Sequence, residues 1–143
     1  MIRQLDHYNI RTFKIDETVQ FYVDLLGLRD GPFMAPRSMG AWLYDRTERP
    51  VVHVIAIDPA DPEPAVQRIR DRLEGLGTPV DMSTWKGGGA IDHVAFECED
   101  YDDQVDLLRS RGINFTESFV PSINLRQIFL NDPNGVTLEL NFR

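Results

Sequence analysis

An internal repeat constrains this chain more than any other feature. Leu5-Asp6-His7-Tyr8-Asn9-Ile10 matches Ile91-Asp92-His93-Val94-Ala95-Phe96, 86 positions later. The same shift carries Phe21 onto Leu107 and Leu25 onto Arg111, and it lays residues 50–55 on residues 136–141. No gap is needed, so His7 falls on His93 and His53 falls on Glu139. All three histidines of the chain lie on this grid. A chain with two similar halves is expected to fold as two similar supersecondary units.

Each half reads as strand, helix, then strands. Residues 5–11 alternate with the period of a half-buried strand, placing His7, Asn9 and Arg11 on one face and Tyr8 and Ile10 on the other. Asp16-Glu17 opens a helix with Val19, Tyr22, Val23 and Leu26 at helical spacing, and Gly27 is suited to end it. Strands are expected at 41–44 and 51–57. The second half repeats the order: a strand at 91–97, a helix from Asp100 or Asp102 to Gly112, and strands near 125–130 and 136–142. Asp132-Pro133-Asn134-Gly135 has the residues of a tight hairpin turn. Between the halves, Asp61 and Pro62 are expected to open an amphipathic helix with Ala65, Val66, Ile69, Leu73 and Leu76 on one stripe. Gly87-Gly88-Gly89 precedes a strand and not a helix N-terminus, so it reads as a hinge and not a phosphate cradle.

Composition narrows the function. Fifteen Lys and Arg against 23 Asp and Glu leave a formal charge of −8, which repels phosphate backbones and anionic lipid surfaces. No nucleic-acid or membrane partner is therefore expected. Cys98 is the lone cysteine, which excludes an internal disulfide framework and any CxxC site. The first residues lack an apolar leader core, and no uncharged apolar run approaches the length of a bilayer span. The expectation is a soluble, cytoplasmic domain of 143 residues, large enough for a real core and too short for two ordinary domains.

Strand parity carries the chemistry. His53 shares a face with Val51 and Ile55, Glu139 with Thr137 and Asn141, and His93 with Ile91, Ala95 and Glu97. The opposite faces, Val52-Val54-Ala56 and Val136-Leu138-Leu140-Phe142, are apolar and suit packing under helices. Three imidazoles and one carboxylate thus project from the less greasy faces of four strands. These are the usual ligand types for divalent Zn, Fe, Mn, Co or Ni. A lone strand histidine is more often structural, but four such positions in register favour a metal. An ionised Glu139 buried without a partner would cost several kcal/mol, and a bound cation removes that penalty.

On these residues the chain resembles the vicinal oxygen chelate superfamily, which includes glyoxalase I, methylmalonyl-CoA epimerase, extradiol dioxygenases and fosfomycin- and bleomycin-resistance proteins. The matching features are Leu5-Asp6-His7, Phe21-Tyr22 with Leu25-Leu26-Gly27-Leu28, Ile91-Asp92-His93-Val94-Ala95-Phe96, and Asp132-Pro133-Asn134-Gly135 running to Glu139. The resemblance implies an α+β fold of two βαβββ modules forming an open eight-stranded barrel or cup. It divides one domain, 1–143, into module one (1–57), a linker with a helix (58–89) and module two (90–143). It also implies one divalent ion held by His7, His53, His93 and Glu139, and a homodimer.

The implied reaction is a glyoxalase- or epimerase-type proton transfer on a small oxygen-chelating metabolite, through an enediolate-like intermediate. Three neutral imidazoles and one carboxylate leave a divalent centre with a formal +1, which suits an anionic intermediate. Glu139, leaving the metal transiently, or His53 where it is not bound to the ion, is then the available base. An extradiol dioxygenase is the second reading, with His7, His93 and Glu139 as its triad. It is weakened because Ile128-Phe129 stands where an aliphatic-Tyr pair is expected, and Val120-Pro121-Ser122 offers no histidine. A metal-free small-molecule binder is the alternative of another class. If Phe129 occupies the pocket-facing tyrosine position, Gln127 and Phe129 face the substrate. Asn9 either bonds a substrate oxygen or orients a ligand. Trp42 and Tyr44 either line the cup or belong to the core.

Overall fold

The computed structural model describes residues 1–143, apart from the side chain of Glu74. The chain divides into two compact units, Met1–Trp85 and Lys86–Arg143. The first holds β1 (Tyr8–Thr12), α1 (Ile15–Leu26), β2 (Arg29–Asp30), β3 (Gly40–Tyr44), β4 (Pro50–Ala56) and then α2 (Glu63–Leu73). The second holds β5 (Val94–Cys98), α3 (Tyr101–Ser110), β6 (Phe115–Val120), β7 (Leu125–Asn131) and β8 (Thr137–Phe142). Their sheets run β1-β4-β3-β2 and β5-β8-β7-β6, each with its first and last strands parallel and its other pairs antiparallel. The class is α+β, built from two βαβββ modules. No described helix is long and apolar enough to cross a membrane.

The repeat is visible in the hydrogen-bonding register. Tyr8 pairs with Val52, and Val94 with Leu138, both 86 positions on. The gapless alignment fails in the third strand of each module. Trp42 pairs with His53, whereas Phe129, and not Ile128, pairs with Glu139. Because strand side chains alternate, that single step decides which face each residue takes. Ile128 turns into the core, fully buried, and Phe129 takes the half-buried face beside Glu139.

Packing follows the expected parity. Ile10, Thr12, Ala41, Leu43, Val52, Val54 and Ala56 are buried on one face of the first sheet. In α1 the buried residues are Thr18, Val19, Tyr22 and Leu25, so the stripe is turned relative to the expected Val23 and Leu26. Tyr22 meets the Tyr8 hydroxyl at 3.1 Å, and Thr12 bonds Thr18 at 3.1 Å across the helix–strand junction. Gly27 ends the helix in the left-handed region (φ 67°), its N–H returning to the Tyr22 carbonyl. In the second unit Ile128, Leu130, Leu138, Leu140 and Phe142 form the buried face, with Val105 and Leu108 of α3. Tyr101 packs edge-on against Phe142 with ring centres 5.1 Å apart.

Several expectations need correction. The first strands begin at Tyr8 and Val94, so His7 and His93 sit just before β1 and β5. Strand β6 gave no alternating signal, because Thr116 through Phe119 are all exposed. Leu76 lies beyond α2 and is 72% exposed, outside the buried stripe of Ala65, Val66 and Ile69. The glycine run is no free hinge. The Gly87 N–H donates to the Asn134 carbonyl at 2.9 Å, which ties the segment to the β7–β8 turn. That turn is as expected: Asp132 is buried and its Oδ1 accepts the N–H groups of Asn134 and Val136, both at 2.8 Å.

Candidate functional site

In the first unit, β4 delivers His53 between two flat neighbours. The His7 ring stacks on it with centres 3.6 Å apart, and Trp42, its cross-strand partner, stacks at 4.7 Å. Phe33 packs edge-on against Trp42 at 5.8 Å. His7 Nδ1 lies 2.6 Å from Asp6 Oδ2, which leaves Nε2 as its other donor atom. His53 Nε2 is buried and has no hydrogen-bond partner among the described residues. Burial, and then the nearby charge of His7, hold the His53 ring below the usual histidine range, against opposing pulls from Asp6 and a hydrogen bond to the Pro50 backbone. The ring is therefore neutral near neutral pH, and Nε2 can offer a lone pair.

In the second unit, a chain of polar contacts ends on Glu139. Asp92 Oδ2 lies 2.8 Å from His93 Nδ1, repeating the Asp6–His7 contact. His93 Nε2 lies 3.0 Å from Glu139 Oε2. The other carboxylate oxygen, Oε1, accepts hydrogen bonds from Gln127 Nε2 at 2.9 Å and Asn141 Nδ2 at 2.7 Å. The bond to Asp92, aided by the charge of Glu139, raises the His93 ring above the ordinary value despite its desolvation. Phe129 stands edge-on to His93 at 6.1 Å and directly across the ladder from Glu139.

These opposite shifts make a testable pair. In metal-free protein followed by NMR, His93 is expected to titrate above about 6.5 and His53 below it. His53 then favours folding above its unfolded value, and that contribution is lost as pH falls through its lowered folded value. His93 favours folding below its unfolded value, and its contribution is lost as pH rises through its raised one. The reverse order of titration would contradict these environments.

The expected metal ligands thus come together in pairs: His7 with His53, and His93 with Glu139. Among the described residues, no group of three or more His, Cys, Asp or Glu side chains that could hold a metal ion is found. Of the expected substrate contacts, Asn9 is exposed and pairs in register with His53, and Gln127 spends its amide on Glu139 and Asn141. Three participants escaped the sequence reading. Asp6 and Asp92 were legible in the repeated Asp-His dipeptide, and Asn141 in its position two residues after Glu139 on the same strand face.

The family model described as the Glyoxalase/Bleomycin resistance protein/Dioxygenase superfamily matches residues 4–140. Comparison with curated proteins returns no match. Among solved structures, a lactoylglutathione lyase from Agrobacterium tumefaciens is similar at a TM-score of 0.65 and 14% identity, over 99% of this chain and 95% of that one. The fosfomycin resistance protein FosX from Listeria monocytogenes gives 0.65 and 12%, over 100% and 95%. A glyoxalase/dioxygenase from Nostoc punctiforme gives 0.66 and 16%, over 98% and 90%. At such identities the structural likeness speaks for the fold alone. With its duplicated βαβββ modules and a family match reaching from residue 4 to residue 140, the chain belongs to the glyoxalase/bleomycin resistance protein/dioxygenase superfamily.

Proposed function

We propose that this protein is a divalent-metal-dependent enzyme of the glyoxalase or epimerase type, moving a proton on a small oxygen-chelating metabolite. Its ligand set is His7, His53, His93 and Glu139. The observation that carries this reading is His53 Nε2, a buried nitrogen without a partner. An unsatisfied buried polar atom costs about 1–3 kcal/mol, which coordination to a cation removes. The rest of the donor set fits the same group. Three imidazoles and a carboxylate suit Fe, Mn, Zn, Ni or Co, and Asp6 and Asp92 hold Nδ1 of His7 and His93 as carboxylates behind metal-bound imidazoles do.

When bound, the ion supplies positive charge that stabilises an enediolate-like oxyanion of the substrate. Proton transfer falls to the chain itself. Glu139 is the first base when its Oε2, the oxygen not engaged by the two amides, is off the ion, and His53 Nε2 is the second where it is not a ligand. Phe129, edge-on to His93 and opposite Glu139, brings no hydroxyl, which favours proton transfer over ring cleavage of catechols.

A metal-free binding role is favoured by one observation: His7, His53 and Trp42 form a continuous stack of rings that a flat ligand could extend. Elemental analysis after purification and reconstitution separates the two. The enzyme reading expects one divalent ion per chain, and then solvent-proton exchange into hemithioacetals or 2-acyl thioesters. Lack of stoichiometric metal overturns it in favour of the binder. Oxygen uptake with catechols, without proton exchange, overturns it in favour of a dioxygenase. A homodimer, proposed from family resemblance, is tested by molecular size in solution.

A further inference from the structure

The Glu139 carboxylate is held on one side before anything binds it. We propose that Gln127 and Asn141 are positioning residues that occupy Oε1 of Glu139 and so present Oε2 alone as its ligand atom. This rests on the metal reading above and deepens it.

Three distances define the device. Oε1 accepts from Gln127 Nε2 at 2.9 Å and from Asn141 Nδ2 at 2.7 Å, and Gln127 Nε2 also reaches Asn141 Oδ1 at 3.1 Å. The three side chains close a triangle on one face of the sheet, with Gln127 and Asn141 direct partners across the β7–β8 ladder. Glu139 and Asn141 are each only 9% exposed, so water does not readily replace these bonds. Oε2 points instead to His93 Nε2 at 3.0 Å.

A free carboxylate can hold a cation through one oxygen or both. Here the two hydrogen bonds fill the lone-pair directions of Oε1, so binding through both oxygens would displace at least one of them, at about 1–3 kcal/mol for a buried polar group left unsatisfied. The clamp therefore makes Glu139 a one-oxygen ligand, which leaves a coordination position for a chelating substrate. The other module supplies an internal control. At the places equivalent to Gln127 and Asn141 stand Gly40 and Ile55, again direct ladder partners, two rungs along from Trp42–His53. Histidine coordinates through a single nitrogen and needs no clamp, and that half has none. The amide pair occurs only where the ligand is a carboxylate. Gln127 then serves Glu139 and not the substrate.

The test uses near-isosteric replacements that remove the donors, Gln127→Met and Asn141→Leu. With Co2+ alone as the probe, affinity is expected to fall about 10–100-fold in each variant. The Co2+ absorption spectrum should also shift as the carboxylate becomes free to chelate. Asn141 is buried and its variant can lose the fold, so the half-buried Gln127→Met carries the comparison independently. In metal-free wild-type protein, the side-chain amide protons of Gln127 and Asn141 should exchange more slowly than those of exposed Asn9. Wild-type protein that binds no metal overturns the ligand reading and this role together. Wild-type binding with unchanged affinity and spectrum in Gln127→Met, or amide exchange as fast as at Asn9, overturns this role alone.

Discussion

Glu139→Gln is expected to weaken divalent-metal binding by more than about 100-fold, because loss of a partner behind a ligand alone costs about 10–100-fold. Glu139 is the one anion in the proposed set. Its loss removes both a donor and the charge that offsets desolvation of the cation. The glutamine keeps the side chain's shape, and its carbonyl can still accept from Gln127 and Asn141, so the sheet should persist. Titration of apo-protein with Zn2+ or Mn2+, alongside urea unfolding of the same samples, reads both quantities. Binding as tight as in the wild type would remove Glu139 from the site.

Leu140→Ala is expected to cost about 2–5 kcal/mol of folding free energy, the range for truncating a buried leucine. Leu140 is 1% exposed and sits in β8, between Phe96 of β5 and Ile128 of β7. Neighbours on both flanks leave the cavity little room to collapse. The urea midpoint should fall with the slope unchanged. Since β8 also carries Glu139 and Asn141, metal affinity should fall at denaturant concentrations that the wild type tolerates. A loss below about 1 kcal/mol would contradict the packing described for this strand.

How far the sequence reveals this molecule depends on which physical signal each part leaves. The repeat and the period-2 alternation in 50–56 are legible because that strand buries one face, whereas 137–142 is buried on both and alternates in residue type alone, Leu138, Leu140 and Phe142 against Glu139 and Asn141. Strand β6 was not, since a sequence with four exposed residues in succession has no face to betray. The third strands were harder again. A gapless repeat puts Ile128 opposite Glu139, and only the ladder shows that Phe129 stands there.

The site divides in the same way. Strand parity and the repeat single out His7, His53, His93 and Glu139 as sequence positions. What surrounds each of them depends on cross-strand neighbours. The stack of Trp42 on His53 and the amide clamp on Glu139 follow from register, which a one-residue slip would abolish. Asp6 and Asp92 differ, because contact between adjacent residues needs no long-range register. The repeated Asp-His dipeptide could have revealed both.

The central claim is that one divalent ion is held by three imidazoles and one carboxylate. X-ray absorption of protein loaded with a single equivalent of Zn2+ tests it most directly. The account predicts nitrogen and oxygen scatterers at about 2.0–2.1 Å, with the outer-shell pattern of three imidazoles, reduced to two in His7→Ala, His53→Ala or His93→Ala. A shell of water and carboxylate oxygen without imidazole, or one indifferent to these substitutions, would contradict it.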